Sequence, residues 1–404
     1  MLIKFNLLLI ALVCSWAAAD EPYFVSLKTT ETLDNFMEYD RKYPKHLQVQ
    51  DRINSLVSIG DFKGFAGNFS KEVIDRLKRC PLIQDITEDL TFKNLEYEIQ
   101  DDAPRHLARV SRRKRLRPNK QYPYIYDNQF MGQGVIAYVI DSGVEVNHPE
   151  FEGRASAGID FTNEGSGDTN GHGTHVAGLI GSATYGVAKN VNIVEVKALN
   201  SEGAGSLSTV LSAIDFVVNH RIESGMKGVA NLSLGAYKNH VLNKAIAHAT
   251  KTGLLFVVAA GNSNIDACLT SPASSKYAIT VGAIDDYNDS VAGFSNWGKC
   301  VDLFASGAFV ESVNAKNPSM SSVLSGTSMA SPIVTGMVAN LLSEGVVPSQ
   351  VKHKLLKMAA KNRITKSSLF LRKHTPNRIV YNGVKEKALL AEKLSQDEGD
   401  EGDE

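Results

Sequence analysis

Largely apolar runs of six or seven residues recur from residue 135 onward, at 135–140, 191–196, 229–234, 254–260 and 278–283. Stretches with helical spacing separate them. A strand that alternates apolar and polar residues has one wet face, whereas an unbroken apolar run is covered on both faces. Buried strands that alternate with helices predict a mostly parallel sheet flanked by helices, an α/β fold. This pattern begins near Gly134 and is expected to fill residues 134–380.

The first hundred residues have a different rhythm. Residues 23–27 alternate like a strand and 30–39 have helical spacing. Residues 70–77 read as a second helix with Ser70 as N-cap, and 82–86 as another strand. Residues 20–100 are therefore expected to form a small α+β unit. Ahead of it, Lys4 precedes an apolar run at 5–13, and Ala17, Ala18 and Ala19 precede Asp20. A basic start, a short apolar core and a small-residue exit predict a signal peptide over residues 1–19. The run is shorter than the roughly 20 residues that span a bilayer. With no later span evident, the chain is expected to be soluble, monomeric and routed through the secretory pathway, either secreted or vacuolar.

Composition adds limits. Lys plus Arg number 43 against 44 Asp plus Glu, so no overall field points to nucleic acid or a membrane surface. The basic residues do cluster locally, at Arg105, Arg109, Arg112, Arg113, Lys114, Arg115 and Arg117. In residues 101–133 such a cluster reads as a solvated, cleavable linker or surface face, a nucleic-acid arm being the other reading. Residues 381–404 end in six acids and two glycines over 397–404, a composition that cannot build a core.

Of the four cysteines, Cys14 leaves with the signal peptide and Cys80 stands alone. In an oxidising compartment Cys268 and Cys300 are a reasonable disulfide pair. Asn68 and Asn288 lie in Asn-x-Ser glycosylation sequons. Asn231 also fits the sequon but falls in an apolar run.

Three short motifs fall where strands end or helices begin. Asp141 closes the run 138–141 and is followed by Ser142-Gly143. His172 stands between Gly171 and Gly173 at the head of a run of small residues. Ser328 follows Ser325-Gly326-Thr327 and opens another helical stretch. Singly, each reads as readily as a cap or turn. His172 and His175 at i, i+3 suggest a shared metal, but they lack the intervening Glu of a zinc-protease motif and a third ligand. His175 reads better as a packed histidine.

Together, in the order Asp, His, Ser, these motifs resemble the subtilisin-type serine proteases over residues 134–342. The likeness is greatest to the proteinase K branch and the fungal vacuolar proteinase B (cerevisin) type. The resemblance implies a catalytic triad of Asp141, His172 and Ser328, with Asn262 of Ala259-Ala260-Gly261-Asn262 donating to the oxyanion. It implies that Ser233, Leu234 and Gly235, with Gly203 and Gly205, clamp an extended peptide, and that Ala259 and Gly261 line a roomy specificity pocket. With no acid evident there, cleavage after apolar or aromatic residues is expected. It also implies that residues 20–100 are an inhibitory propeptide whose last strand, 95–100, enters the active site. Self-cleavage would fall near that strand, and the run 112–115 offers an alternative site for a kexin-like enzyme.

No cofactor is implied for catalysis. A structural Ca²⁺ at Asp302 is, with the carbonyls of Lys276 and Ala278 completing its shell. Two departures from the family pattern stand out: Ile333 and Thr335 in Ser331-Pro332-Ile333-Val334-Thr335-Gly336, where relatives read His and Ala, and Val176 where Cys is common. The competing expectations are a catalytically silent binding protein that kept the fold, and a dibasic-specific processing convertase.

Overall fold

The computed structural model of the chain describes residues 20–89 and 97–384. The expected signal peptide and the acidic run 397–404 lie outside the described residues. The chain divides into two compact units, residues 1–94 and 95–404.

In the first unit, four antiparallel strands lie in the order Ile53–Ile59, Phe62–Phe69, Glu21–Leu27, Ile83–Glu88. The helices Leu33–Asp40 and Lys71–Leu77 accompany them. Ser70 caps the second helix as expected, its hydroxyl accepting from Val73 N at 3.4 Å. The first helix starts later than its spacing suggested, because the Thr32 hydroxyl accepts from Asn35 N at 3.1 Å and sets the boundary there. The hairpin over residues 53–69 had no expected counterpart. Its outer strand leaves Leu56 59% and Ile59 70% exposed, so burial imposes no alternation for the sequence to display. Val25, Phe36, Phe65, Phe69, Val73 and Leu77 form the core. A buried ion pair, Arg76 to Asp40 at 2.6 Å, ties the two helices together.

The second unit is built on seven parallel strands. Across the sheet they run Ala155–Asp160, Asn192–Lys197, Val135–Asp141, Lys227–Leu232, Leu255–Ala259, Ile279–Asp285 and Leu303–Ser306. Short segments extend the edge beyond the last of these. The central strand shows why the apolar runs have no polar alternation. Val135, Ala137 and Val139 pack with the helices His172–Gly181 and Thr327–Ser343, while Ile136, Tyr138 and Ile140 pack on the other face against Leu207–Ser224 and His240–Lys251. Successive side chains point to opposite faces, and both faces are covered. The five strands expected from apolar runs are present, but Ser233 and Leu234 lie beyond the end of theirs. The edge strand Ala155–Asp160 was not foreseen, being rich in small residues and half exposed.

Two expectations about the start of this unit need correction. The segment Tyr97–Gln100 does not enter the cleft. It pairs antiparallel with Tyr124–Asp127, Glu98 opposite Tyr126. The basic stretch is a folded part of this unit rather than a linker, although Arg113, Lys114, Arg115 and Arg117 are exposed, as the surface-face reading expects. Arg105–Val110 is a short helix with Leu107 and Val110 buried. Arg109, 1% exposed, grips both carboxylate oxygens of the buried Asp289 at 2.9 and 3.1 Å. Arg105 pairs with Asp286 at 2.9 Å, and Arg113 stacks over Tyr381. At the other end, Tyr381 and Val384 are buried, so the folded chain continues past the boundary expected at 381.

Candidate active site

The carboxyl ends of parallel strands, near the point where strand order reverses, form the natural cleft of an open α/β sheet. Asp141 ends the central strand there and is fully buried. Its Oδ1 accepts from Ser142 N at 2.8 Å and contacts His172 Nδ1 at 2.7 Å. The imidazole is therefore oriented by a carboxylate 31 positions earlier in the chain.

His172 opens its helix, and the glycines beside it have separate reasons. Gly171 caps the helix at φ 93°, a region that side chains avoid. At Gly173 a Cβ would fall 2.1 Å from the Gly143 carbonyl, so only glycine lets the helix start lie against the turn after Asp141. Burial of the imidazole alone would lower its pKa. The Asp141 charge and hydrogen bond, with Asp168 behind them, outweigh burial and hold it above the ordinary histidine value.

Asp168 escaped the sequence reading. Its Oδ1 accepts from Gly171 N and Ser142 Oγ at 2.8 and 2.9 Å, and its Oδ2 from Thr174 N and Oγ1 at 2.8 and 2.7 Å. One buried carboxylate thus joins the turn after Asp141 to the first turn of the His172 helix. No motif marks it, because it lies in a polar loop rich in glycine and asparagine.

Ser328 is the second residue of its helix, half-buried at the cleft. Its hydroxyl donates to the Ser233 carbonyl at 3.3 Å, and among the described residues it makes no hydrogen bond to His172. The expected imidazole–hydroxyl bond is thus unformed in the free chain, where such contacts are often loose and tighten on substrate. The two side chains nonetheless line adjoining hollows of about 460 and 590 Å³ that share Ser233, Leu234, Gly235, Ala236 and Tyr237 as a common wall.

Asn262 lies across the second hollow. Its Oδ1 accepts from both Thr327 N and Thr327 Oγ1 at 2.8 Å. The Thr327 hydroxyl in turn accepts from Gly261 N at 3.0 Å. With the oxygen occupied, the amide presents Nδ2 beside Gly326, whose Cβ, if it had one, would sit 3.3 Å away. Thr327, wholly buried, is the second positioning residue that the sequence left unmarked.

The other expected binding residues gather in the same place. Gly203, Gly205, Ser233, Leu234 and Gly235 line the His172 side, with Leu199, Val210 and Leu242 deeper. Ala259, Gly261 and Asn262 line the Ser328 side, where among the described residues no Asp or Glu contributes to the wall.

His175 is fully buried, and its Nε2 donates to the Val310 and Ser322 carbonyls, both at 3.1 Å. Burial pulls its pKa down to about 4, so it is a neutral, packed residue. The departures at 333 and 335 have packing accounts. Ile333 and Val176 are core residues. The Thr335 hydroxyl donates to Asn231 Oδ1 at 2.9 Å, joining Ser331, which donates to the same oxygen at 2.7 Å. Asn231 Nδ2 donates to Ser233 Oγ, and Ser233 Oγ to the Ser328 carbonyl, both at 2.9 Å. Asn231, fully buried in this network, is closed to glycosylation in the folded chain, whereas Asn68 and Asn288 are exposed. Cys268 and Cys300 are joined as expected, and Cys80 is free and buried.

The residues expected to hold calcium do not offer an open oxygen cage. Asp302 Oδ2 is 2.8 Å from Lys352 Nζ, which also donates to the Ala278 carbonyl at 2.8 Å.

Among the described residues no single helix is long and apolar enough to cross a membrane. Comparison with known proteins agrees with the geometry. Residues 132–383 match the subtilase family, Peptidase_S8. The subtilase-type proteinase RRT12 of Saccharomyces cerevisiae is 42% identical over 93% of this chain and 85% of its own length. Cerevisin of the same yeast is 42% identical over 91% of this chain, which spans 58% of cerevisin. A cold-adapted subtilisin-like serine proteinase of known crystal structure superposes with a TM-score of 0.63 at 41% identity, over 70% of this chain and all of that one. A family match to more than half of the sequence, on a parallel sheet with a buried Asp–His pair at its carboxyl edge, makes this chain a member of the subtilase family of serine endopeptidases.

Proposed function

We propose that the chain hydrolyses peptide bonds through Asp141, His172 and Ser328, with Asn262 as oxyanion donor. The observation that carries this is the 2.7 Å contact of His172 Nδ1 with a fully buried carboxylate. A serine hydroxyl is a weak nucleophile at neutral pH. As Ser328 Oγ bonds to the substrate carbonyl carbon, its proton passes to His172 Nε2, and Asp141 stabilises the imidazolium. The carbonyl oxygen takes the electron pair and meets Asn262 Nδ2, whose direction Thr327 maintains. Collapse of the tetrahedral species breaks the C–N bond while Nε2 returns the proton to the leaving amine. Water then repeats the sequence on the acyl-enzyme and releases the acid.

The substrate would lie extended between residues 203–205 and 233–235. The wall formed by Ala259, Ala260, Gly261 and Ile265, without an acid, favours an apolar or aromatic side chain over Lys or Arg. The absence of a carboxylate also speaks against a dibasic convertase.

The front unit is proposed to serve as an intramolecular inhibitor that is cut away. The cut is expected before Tyr97, because Tyr97–Gln100 and the Arg109–Asp289 pair belong to the enzyme unit. The leader and the disulfide favour a secretory-pathway enzyme, secreted or vacuolar. Labelling by a fluorophosphonate probe, abolished by Ser328→Ala, tests the catalytic reading; an unlabelled wild-type chain freed of its front unit would mean a silent homologue.

A further inference from the structure

The helix Pro348–Met358 docks through Val351 and Leu355, both fully buried. That contact carries the next residue, Lys352, over the expected calcium shell. Its ammonium lies 2.8 Å from Asp302 Oδ2 and donates to the Ala278 carbonyl at 2.8 Å. Both partners are themselves fixed. Asp302 Oδ2 accepts from Thr280 N at 2.9 Å, and Asp302 N donates to the Thr280 carbonyl at 2.9 Å. Ala278 is fully buried.

We propose that the ε-ammonium of Lys352 is a built-in cation standing where the family resemblance implies Ca²⁺, so that this corner of the fold is locked without a metal. Calcium takes six to eight oxygens at about 2.3–2.6 Å, and an ion held by Asp302 and the Ala278 carbonyl would overlap the ammonium bonded to the same two oxygens. The charges argue the same way. One carboxylate and one ammonium are balanced, whereas adding a divalent ion would leave two uncompensated positive charges. Among the described residues no cluster of three or more His, Cys, Asp or Glu offers a more acidic site. Lysine suits the role because its ammonium is a compact charge with three donors on a long stem. The helix supplies positional order that a free ion would lack.

The test is thermal unfolding of the full chain in a Ser328→Ala background, which prevents self-digestion, in excess EDTA and in millimolar calcium. The expected wild-type melting temperature is the same in both. Lys352→Met keeps the stem and removes the charge. It is expected to melt on the order of 2–4 °C lower in both media, while Lys352→Arg stays near wild type. Lys352→Ala opens the space, and its melting temperature is expected to rise in calcium while that of Lys352→Met does not. Three results would overturn the proposal: a wild-type chain that loses stability in EDTA, regains it in calcium and loses that response with Asp302→Asn; a Lys352→Met chain as stable as wild type; or a Lys352→Ala chain that gains no more from calcium than Lys352→Met.

Discussion

Thr327 holds the side-chain oxygen of Asn262 from two sides, with its backbone N–H and its hydroxyl, each at 2.8 Å. An amide whose oxygen is doubly held can turn only its NH₂ toward the cleft. Transition-state stabilisation of this kind depends on donors that need no reorganisation when charge appears.

Asn262→Ala should therefore lower kcat by about 100- to 1000-fold with little change in KM, the usual cost of an oxyanion donor. Thr327→Val keeps the backbone bond and loses the hydroxyl, so a smaller loss, about tenfold, is expected, again in kcat. Steady-state kinetics on a chromogenic peptide would check both. Equal effects on KM and kcat in Thr327→Val would assign Thr327 to folding rather than to positioning.

The acid side of the pH–rate profile should reflect the raised pKa of His172. Burial opposes protonation, but the Asp141 charge and hydrogen bond prevail, so the imidazolium persists above the ordinary histidine pKa. Only neutral imidazole can take the Ser328 proton. Hence kcat/KM should fall as pH drops through a midpoint above about 6.5. Asp141→Asn should move that midpoint down while costing roughly 10⁴-fold in kcat. A wild-type midpoint below about 6.5 would mean that burial outweighs the Asp141 charge and hydrogen bond at His172.

Cleavage preference should follow the wall chemistry of the Ser328 hollow, which lacks Asp and Glu. A peptide-library digest is expected to show cuts after bulky apolar and aromatic residues. Strict preference for Lys or Arg would return the convertase reading.

The mature N-terminus should lie before Tyr97, read by N-terminal sequencing. A start after Arg115 would require detaching a ladder strand and the fully buried guanidinium of Arg109. Breaking that pair isolates a buried charge, so Arg109→Met should destabilise the enzyme unit by about 3–5 kcal/mol in denaturant unfolding. A loss under 1 kcal/mol would mean that this segment is dispensable, and a start after Arg115 would then be structurally tolerable.

Much of this was legible in the chain itself. The central strands announced themselves because burial on both faces favours predominantly apolar runs, with Glu195 and Asn231 among the buried polar exceptions. Asp141, His172, Ser328 and Asn262 stood out because their short motifs, taken together and in order, resemble those of a known family. The hairpin over residues 53–69 and the edge strand Ala155–Asp160 did not, since half-exposed strands are free of that demand. The basic run 105–117 misled for a related reason. Charge density predicts solvent exposure on average, and Arg113, Lys114, Arg115 and Arg117 are indeed exposed, but Asp286 and Asp289 hold Arg105 and Arg109 from about 180 residues away.

Local periodicity and backbone-limited glycines are properties of neighbours in the chain, so the amino-acid order decided the α/β class; through the family resemblance it also named candidate reacting groups, and it offered Cys268 and Cys300 as a reasonable pair. Which side chains meet was decided by strand order and helix docking. Asp168 under the His172 loop, Thr327 behind Asn262, the Ser328 hydroxyl turned to Ser233, and Lys352 against Asp302 all join residues through space. No local pattern encodes such contacts, because their cost and gain exist only once the folded core has fixed the distances between them.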